Sequence, residues 1–218
     1  MRRLPLLGLA LALALTSCSA LGTHDAVGSP RAAAASPGVT IVSVLGDSHS
    51  GWPDSWFRLS VGNASIPGAA GVLASEPGRS SIALQAWVAE ATARGGVVLV
   101  QAGTNDLLLD HSTPAKAAQG VEALVNAVAS RGARAVLVSV PPSATLGPAT
   151  NQLDALLKDW AAEHNVAWLD VTSAVARPDG TWRPGLSDDG VHANGTGGAL
   201  MASAARQQLP ELLRTGRR

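Results

Sequence analysis

Short β-branched runs alternate along the chain with longer segments that have helical spacing. An interior parallel strand is apolar on both faces, so such runs predict buried strands. Four runs of this kind lie at residues 39–50, 97–101, 135–140 and 166–171. Residues 58–63 predict a further short strand. The Gly- and Ala-rich residues 66–78 hold two prolines and predict an irregular loop.

Apolar residues three and four positions apart predict helices between these strands. The predicted helices cover residues 80–94, 113–131, 149–164 and 196–213. Thr113 followed by Pro114 is typical of a helix start. Pro210 is expected to bend or interrupt the last helix.

Strands that alternate with helices at this spacing indicate parallel pairing with right-handed crossovers. We therefore expect a three-layer α/β/α sandwich with a central parallel sheet, formed by residues 39–218. In such a sheet the carboxyl ends of the strands are where ligands bind.

The amino terminus has the layout of a signal peptide. Arg2 and Arg3 precede an apolar run at residues 4–15, which is too short to cross a bilayer as a helix. The predicted signal peptide covers residues 1–17, so we expect an exported protein.

Cys18, the single cysteine, ends a Leu-Thr-Ser-Cys sequence that resembles the lipobox of bacterial lipoproteins. Lipidation accounts for an unpaired cysteine in an exported protein. The alternative is an ordinary secretory signal that is cleaved nearby, for example after Ala20. Residues 18–38 are small, polar and interrupted by proline, which predicts a tether.

Composition narrows the classes of partner. The chain has 218 residues, of which 46% are hydrophobic, enough for one domain with a sizeable core. Lys and Arg together number 16, as do Asp and Glu, so nothing in the net charge indicates nucleic acid or an acidic membrane surface. No His or Cys pair has the spacing of metal ligands, and we expect neither a metal nor a cofactor.

Three polar clusters are candidates for chemistry. Two of them, residues 46–48 and 103–106, follow predicted strands, so a parallel sheet brings them to one edge. The third, residues 188–192, precedes the last helix. Asp47 and Asp106 suit hydrogen bonds that hold their own loops.

A serine becomes a nucleophile when a histidine takes its proton and a carboxylate orients that histidine. Ser48, His192 and Asp189 can fill these roles, with Asp188 as the alternative carboxylate. Acyl transfer also needs donors for the developing oxyanion, and Asn105 is the natural candidate.

These residues resemble the SGNH/GDSL hydrolase family, whose four blocks contribute Ser, Gly, Asn and His in that order. Gly46-Asp47-Ser48, Gly103-Thr104-Asn105-Asp106 and Asp189-Gly190-Val191-His192 match three of the blocks. Gly68 is the best-placed match to the remaining glycine, with Gly71 close by.

The resemblance implies a flavodoxin-like fold and an esterase mechanism. Ser48 would attack the acyl carbonyl, His192 would act as base and then acid, and Asp189 would orient the imidazole. The backbone N–H groups of Ser48 and Gly68, with the Asn105 side chain, would form the oxyanion hole.

His49 stands where the Leu that gives GDSL its name is expected. It either contacts the substrate or fills space. Trp52, Trp56 and Trp182 either line a pocket for a sugar ring or acyl chain or belong to ordinary packing.

The sequence therefore predicts an exported, lipid-anchored serine esterase that acts on a small-molecule, glycan or lipid ester and touches the membrane only through its anchor. Acyl transfer onto an envelope glycan or lipid is one alternative. A non-catalytic envelope-binding domain is the other. Substrate specificity depends on loops whose sequence has no recognisable pattern, so the sequence does not identify the substrate.

Overall fold

The computed structural model describes residues 38–215. The predicted signal peptide, Cys18 and the tether up to residue 37 lie outside the described residues. No helix within residues 38–215 is long and apolar enough to cross a membrane.

A parallel sheet runs through the centre of the domain, in the order β2-β1-β3-β4-β5. Its strands are β1 Thr40–Gly46, β2 Ala69–Ser75, β3 Val97–Gln101, β4 Arg134–Val138 and β5 Ala167–Leu169. The four buried runs of the sequence all contain strands.

The helices connect these strands. They are α1 Ser48–Gly51, α2 Ser81–Leu84, α3 Val88–Thr92, α4 Thr104–Leu108, α5 Pro114–Ser130, α6 Gly147–Glu163 and α7 Gly195–Thr215. As predicted, Thr113 caps α5 through its side chain, and Pro114 is the first helical residue. The helix α7 continues past Pro210 without interruption.

Alternate residues of each strand enter two separate hydrophobic clusters, one on each face of the sheet. In β3, Val98 and Val100 pack with α5 and α6, whereas Val97 and Leu99 pack on the side of α7. Burial on both faces explains why the strand sequence is apolar throughout. The predicted three-layer α/β/α sandwich is confirmed.

Two local predictions were wrong. Residues 66–78 contain β2, and Arg58–Gly62 form one turn of π-helix in place of a strand. The strand β2 lies at the edge of the sheet and is half-buried, so small residues suffice and its own sequence carries a weak β signal. Seven register pairs with β1 fix it in place.

Candidate active site

Ser48 lies where β1 ends and α1 begins, as its first residue. Asp47 caps α1 by accepting the backbone N–H of His49 at 2.9 Å. Gly46 is required at the turn, because a Cβ there would lie 2.6 Å from the Ser50 hydroxyl and 3.1 Å from the Gln101 carbonyl. Packing of the strand end against β3 thus places the serine at the carboxyl edge of the sheet.

Ser48, His192 and Asp189 form a continuous hydrogen-bonded chain. The Ser48 Oγ lies 2.8 Å from His192 Nε2, and His192 Nδ1 lies 2.7 Å from Asp189 Oδ2. With Nδ1–H donating to the carboxylate, Nε2 is free to accept the serine proton. Asp188 accepts instead from the Asn194 side chain at 2.9 Å, so Asp189 is the carboxylate that orients His192.

Local hydrogen bonds hold Asp189 in place although its side chain is about half exposed. Its Oδ1 accepts the backbone N–H groups of Val191 at 2.8 Å and His192 at 2.7 Å. Burial alone would raise the pKa of Asp189, but the hydrogen bonds from His192 and Val191 outweigh it and hold that pKa below its usual range. The carboxylate is therefore ionised whenever His192 acts as a base.

Asn105 lies in α4 at the end of β3, next to Asp47. Its Nδ2 donates to Asp47 Oδ2 at 2.9 Å and to the Arg79 carbonyl at 3.1 Å. Both amide hydrogens therefore have acceptors. Burial raises the pKa of Asp47 to about 7, against the opposing effect of the hydrogen bond from the His49 backbone. Asp47 thus holds its loop and orients Asn105.

Asp106 has a similar structural role. It accepts the backbone N–H of Ser81 at 2.8 Å and also the Ser81 hydroxyl, which joins α2 to α4. Gly120 makes room for this pair, since a Cβ there would meet the Ser81 hydroxyl.

The prediction for Gly68 is wrong. Gly68 precedes β2, and its carbonyl accepts the backbone N–H of Thr40 at 2.8 Å, at the start of β1. Ser48 follows the other end of β1, roughly 20 Å away at the usual rise per strand residue. Gly68 therefore belongs to the amino edge of the sheet and cannot contribute to an oxyanion hole.

The loop that follows β2 occupies the position that Gly68 was expected to fill. The hydrogen bond from Asn105 to the Arg79 carbonyl fixes this loop beside the site. The backbone N–H groups of Gly78, Arg79 and Ser80 donate no hydrogen bond within residues 38–215. The sequence signal was a fourth glycine-containing polar cluster, at residues 76–81, which was missed because β2 was taken for a loop.

Gln101 is a buried residue that the sequence reading missed. Its Oε1 accepts the Ser50 hydroxyl and the Trp56 indole N–H, each at 2.7 Å, and its Nε2 donates to the Ser139 carbonyl at 3.1 Å. This network joins α1, β3 and the end of β4 next to Ser48. A lone polar residue at the end of an apolar strand was its only sequence signal.

Aromatic rings lie around His192. The Trp52 indole stacks on the His192 ring, with centroids 3.8 Å apart and planes at 22°. The His49 ring lies 5.0 Å from His192 and is tilted by 35°. Burial, followed by the charge of His192, lowers the pKa of His49 to about 3, so His49 is a neutral side chain beside the site.

Two of the predicted pocket tryptophans belong to the core. Trp56 is fully buried and bonded to Gln101, and it lines a cavity of about 10 Å³ beside Ser48. Trp182 is 8% exposed and packs in the cluster on the α7 side of the sheet. Both indoles pack in the core on the α7 side of the sheet. The sequence pattern alone does not distinguish a tryptophan in the core from one that lines a pocket.

A groove of about 250 Å³ opens beside His192. Its lining includes Trp52 together with the carboxylates of Asp54, Asp188 and Asp189, and no Lys or Arg. Within residues 38–215, no group of three or more His, Cys, Asp or Glu side chains is arranged to hold a metal ion.

Over residues 28–200 the sequence matches the GDSL-like lipase/acylhydrolase family, which is most of the chain. The chain belongs to this family. It is therefore an ester hydrolase of the GDSL type, and the resemblance noted from its sequence blocks is confirmed. No curated protein matched the sequence.

Solved structures share the GDSL-type fold at low sequence identity. A GDSL-like lipase from Bacteroides thetaiotaomicron VPI-5482 has a TM-score of 0.65 at 18% identity, over 79% of this chain and 89% of that one. The aryl esterase of M. smegmatis has a TM-score of 0.65 at 16% identity, over 80% of this chain and 100% of that one.

A carbohydrate acetylesterase family member from Sinorhizobium meliloti has a TM-score of 0.62 at 19% identity, over 81% of this chain and 100% of that one. At these identities the likeness establishes the fold alone.

Proposed function

We propose that this GDSL-family hydrolase cleaves carboxylic esters through an acyl-enzyme on Ser48. The observation that carries the proposal is the chain from the Ser48 Oγ to His192 Nε2 at 2.8 Å and from His192 Nδ1 to Asp189 Oδ2 at 2.7 Å. A hydroxyl, a base and an orienting carboxylate in this order are what an activated serine needs.

In the first half-reaction the Ser48 Oγ bonds to the acyl carbon while its proton passes to His192 Nε2. The tetrahedral intermediate collapses when that proton moves to the leaving alcohol. In the second half-reaction a water gives its proton to His192 and attacks the acyl carbon, which releases the acid and returns the proton to Ser48.

The oxyanion donors in this proposal are the Ser48 N–H, the Asn105 amide and one N–H of the loop that includes Gly78 and Arg79. Asn105 must release one acceptor to serve the oxyanion. The bond to the Arg79 carbonyl at 3.1 Å is longer than the bond to Asp47 at 2.9 Å, so it is the one we expect to open.

We further propose that the groove beside His192 receives the alcohol part of the ester, because His192 must reach the leaving oxygen. Asp54 and Asp188 accept hydrogen bonds from hydroxyl groups and repel anions. This favours uncharged or cationic alcohols, including sugars. The name of the Sinorhizobium meliloti neighbour, a carbohydrate acetylesterase family member, is in keeping with that class.

Hydrolysis of p-nitrophenyl acetate by Ser48→Ala and Ser50→Ala tests the proposal. Ser50 is a matched control, since it is a buried serine of the same helix that bonds to Gln101 and not to His192. We expect Ser48→Ala to be inactive but folded by circular dichroism, and Ser50→Ala to retain turnover. Turnover in folded Ser48→Ala would overturn the proposal.

Export and lipid attachment at Cys18 are a separate proposal, supported by the signal-like residues 1–17 and by the lipobox-like sequence that ends at Cys18. Metabolic labelling with a radioactive fatty acid should mark the wild type and leave Cys18→Ala unlabelled. An unlabelled wild type found in the medium would favour the ordinary secretory signal.

A further inference from the structure

Trp52 is the only one of the six tryptophans that is exposed, and it is 43% exposed. It directly follows α1, and its backbone N–H donates to the Ser48 carbonyl at 3.0 Å. The residue is therefore one helical turn from the nucleophile. What sets this exposed side chain apart is its contact with His192.

The indole lies flat on the catalytic imidazole. Its centroid is 3.8 Å from that of His192, with the planes 22° apart. Each ring nitrogen of His192 has one hydrogen-bond partner, and imidazole nitrogens donate and accept in the plane of the ring. In-plane bonds fix the position of the ring but resist poorly a tilt about the line that joins the two nitrogens. A flat surface against the ring face prevents that tilt.

His192 needs this support because it lies in a loop before α7 and not in a strand or helix. Catalysis requires Nε2 to point first at the Ser48 hydroxyl and then at the leaving oxygen, and small misplacements of a reacting group lower the rate. The ring also becomes a cation during the reaction, and an indole face attracts a cation.

We propose that Trp52 is a positioning residue that holds the His192 imidazole in its reactive orientation by stacking on it. The inference rests on the proposed function, because it assigns Trp52 a role toward His192 as the base. Trp52 also lines the groove beside His192, so the effect on kcat, and not the effect on KM, reports its action through His192.

A second stack in the same chain provides a matched control. Trp160 and His164 stack with centroids 4.4 Å apart and planes at 21°, on α6 and its end. This pair has nearly the same geometry but no part in the catalytic chain. Trp160→Leu therefore removes a stack of the same kind without touching the site.

The experiment compares Trp52→Leu, Trp52→Phe and Trp160→Leu with p-nitrophenyl acetate as substrate. Leucine covers the imidazole without a ring, whereas phenylalanine restores a smaller ring. We expect Trp52→Leu to lower kcat about 3- to 10-fold, the range that aromatic and cation–π contacts support, whatever the change in KM that follows from altering the groove lining. Trp52→Phe should recover most of kcat, and Trp160→Leu should keep it.

Proton NMR of the histidine rings reports the stack itself. The His192 ring signals, assigned with His192→Asn, should lie upfield in the wild type because of the indole ring current. They should move downfield in Trp52→Leu, whereas Trp160→Leu should move only those of His164.

An unchanged kcat in Trp52→Leu, or a change in KM alone, would overturn the inference and leave Trp52 as a wall of the groove. Wild-type histidine signals without an upfield shift would also overturn it. These failures differ from failure of the proposed function, which would appear as turnover in Ser48→Ala.

Discussion

The two halves of the proposed catalytic centre are held by different means. The nucleophile half, Ser48 with Asp47, Asn105 and Gln101, lies at the carboxyl ends of β1 and β3, and each of these residues is at most 6% exposed. The base half, His192 and Asp189, lies in a loop with side chains 19% and 48% exposed.

The nucleophile half depends on the fold, because its side chains bond across β1, β3 and the loop after β2. The base half is largely local, since Asp189 bonds to Val191 and His192 within three residues. We conclude that substitutions in the buried half should affect stability, while those in the loop should affect turnover with little effect on stability.

The largest expected effect comes from Asp189→Asn, which removes the charge that orients His192. We expect kcat to fall about 10²- to 10⁴-fold, the range typical of losing the orienting carboxylate. Asp188→Asn is the matched control and should stay close to wild type. Asp188→Asn should unfold within about 0.5 kcal/mol of the wild type in urea, as surface substitutions do, and Asp189→Asn should stay folded by circular dichroism. Equal losses of kcat in both would contradict the assignment of Asp189.

Asn105→Ala tests the oxyanion side of the nucleophile half. We expect a fall in kcat of about 10²- to 10³-fold, as for loss of one oxyanion donor. Gly68→Asn serves as the control, because asparagine tolerates the φ of 74° at that position. Loss of activity in Gly68→Asn without loss of structure would reinstate Gly68 in the site.

Gln101→Leu should act on stability. It leaves the Ser50 hydroxyl, the Trp56 indole N–H and the Ser139 carbonyl buried without their partner. Since each unpaired buried group costs about 1–3 kcal/mol, we expect a loss of about 3 kcal/mol or more in urea denaturation. Asn151→Ala removes an exposed amide that donates to the Pro178 carbonyl, and it should cost less than about 1 kcal/mol. Similar losses of stability in Gln101→Leu and Asn151→Ala would contradict the expected difference between the buried and the exposed hydrogen bonds.

Asp47→Asn isolates the cost of burying a carboxyl group. Burial raises the pKa of Asp47 from 3.8 to about 7, so its contribution to stability is fully present below about pH 4 and is lost as the pH rises through about 7. Relative to the wild type, Asp47→Asn should therefore gain stability between pH 4 and 7, by at most about 1.4 kcal/mol per pH unit.

The measurement is the free energy of unfolding of both proteins at a series of pH values. The lowered pKa of His49 affects the pH dependence in the opposite direction, but it is common to both proteins and cancels in the difference. If the free energies of unfolding of the two proteins change with pH in parallel over this range, burial does not raise the pKa of Asp47.

The contrast between the halves also explains what could be predicted from sequence. Asp189 and His192 are three residues apart, and Ser48 and Asn105 each follow an apolar strand, so local pattern was enough to find them. The sheet and its flanking helices followed from the same periodicity.

Contacts between distant segments could not be read in this way. The strand β2 forms because it pairs with β1. Since the sequence pattern did not predict β2, it could not predict that the loop at Arg79 lies at the site. Gln101 and Trp56 are 45 residues apart and meet only in the folded core. Trp52 and His192 stack across 140 positions of the sequence, and no spacing rule connects them.

The central claim is that Ser48 is the nucleophile and that His192 activates it. Labelling with a fluorophosphonate, followed by peptide mass spectrometry, tests it most directly. The account predicts one label per chain, on Ser48, with much slower labelling of His192→Asn and none of Ser48→Ala. A label on another serine, or labelling of Ser48 at an equal rate in His192→Asn, would contradict the account.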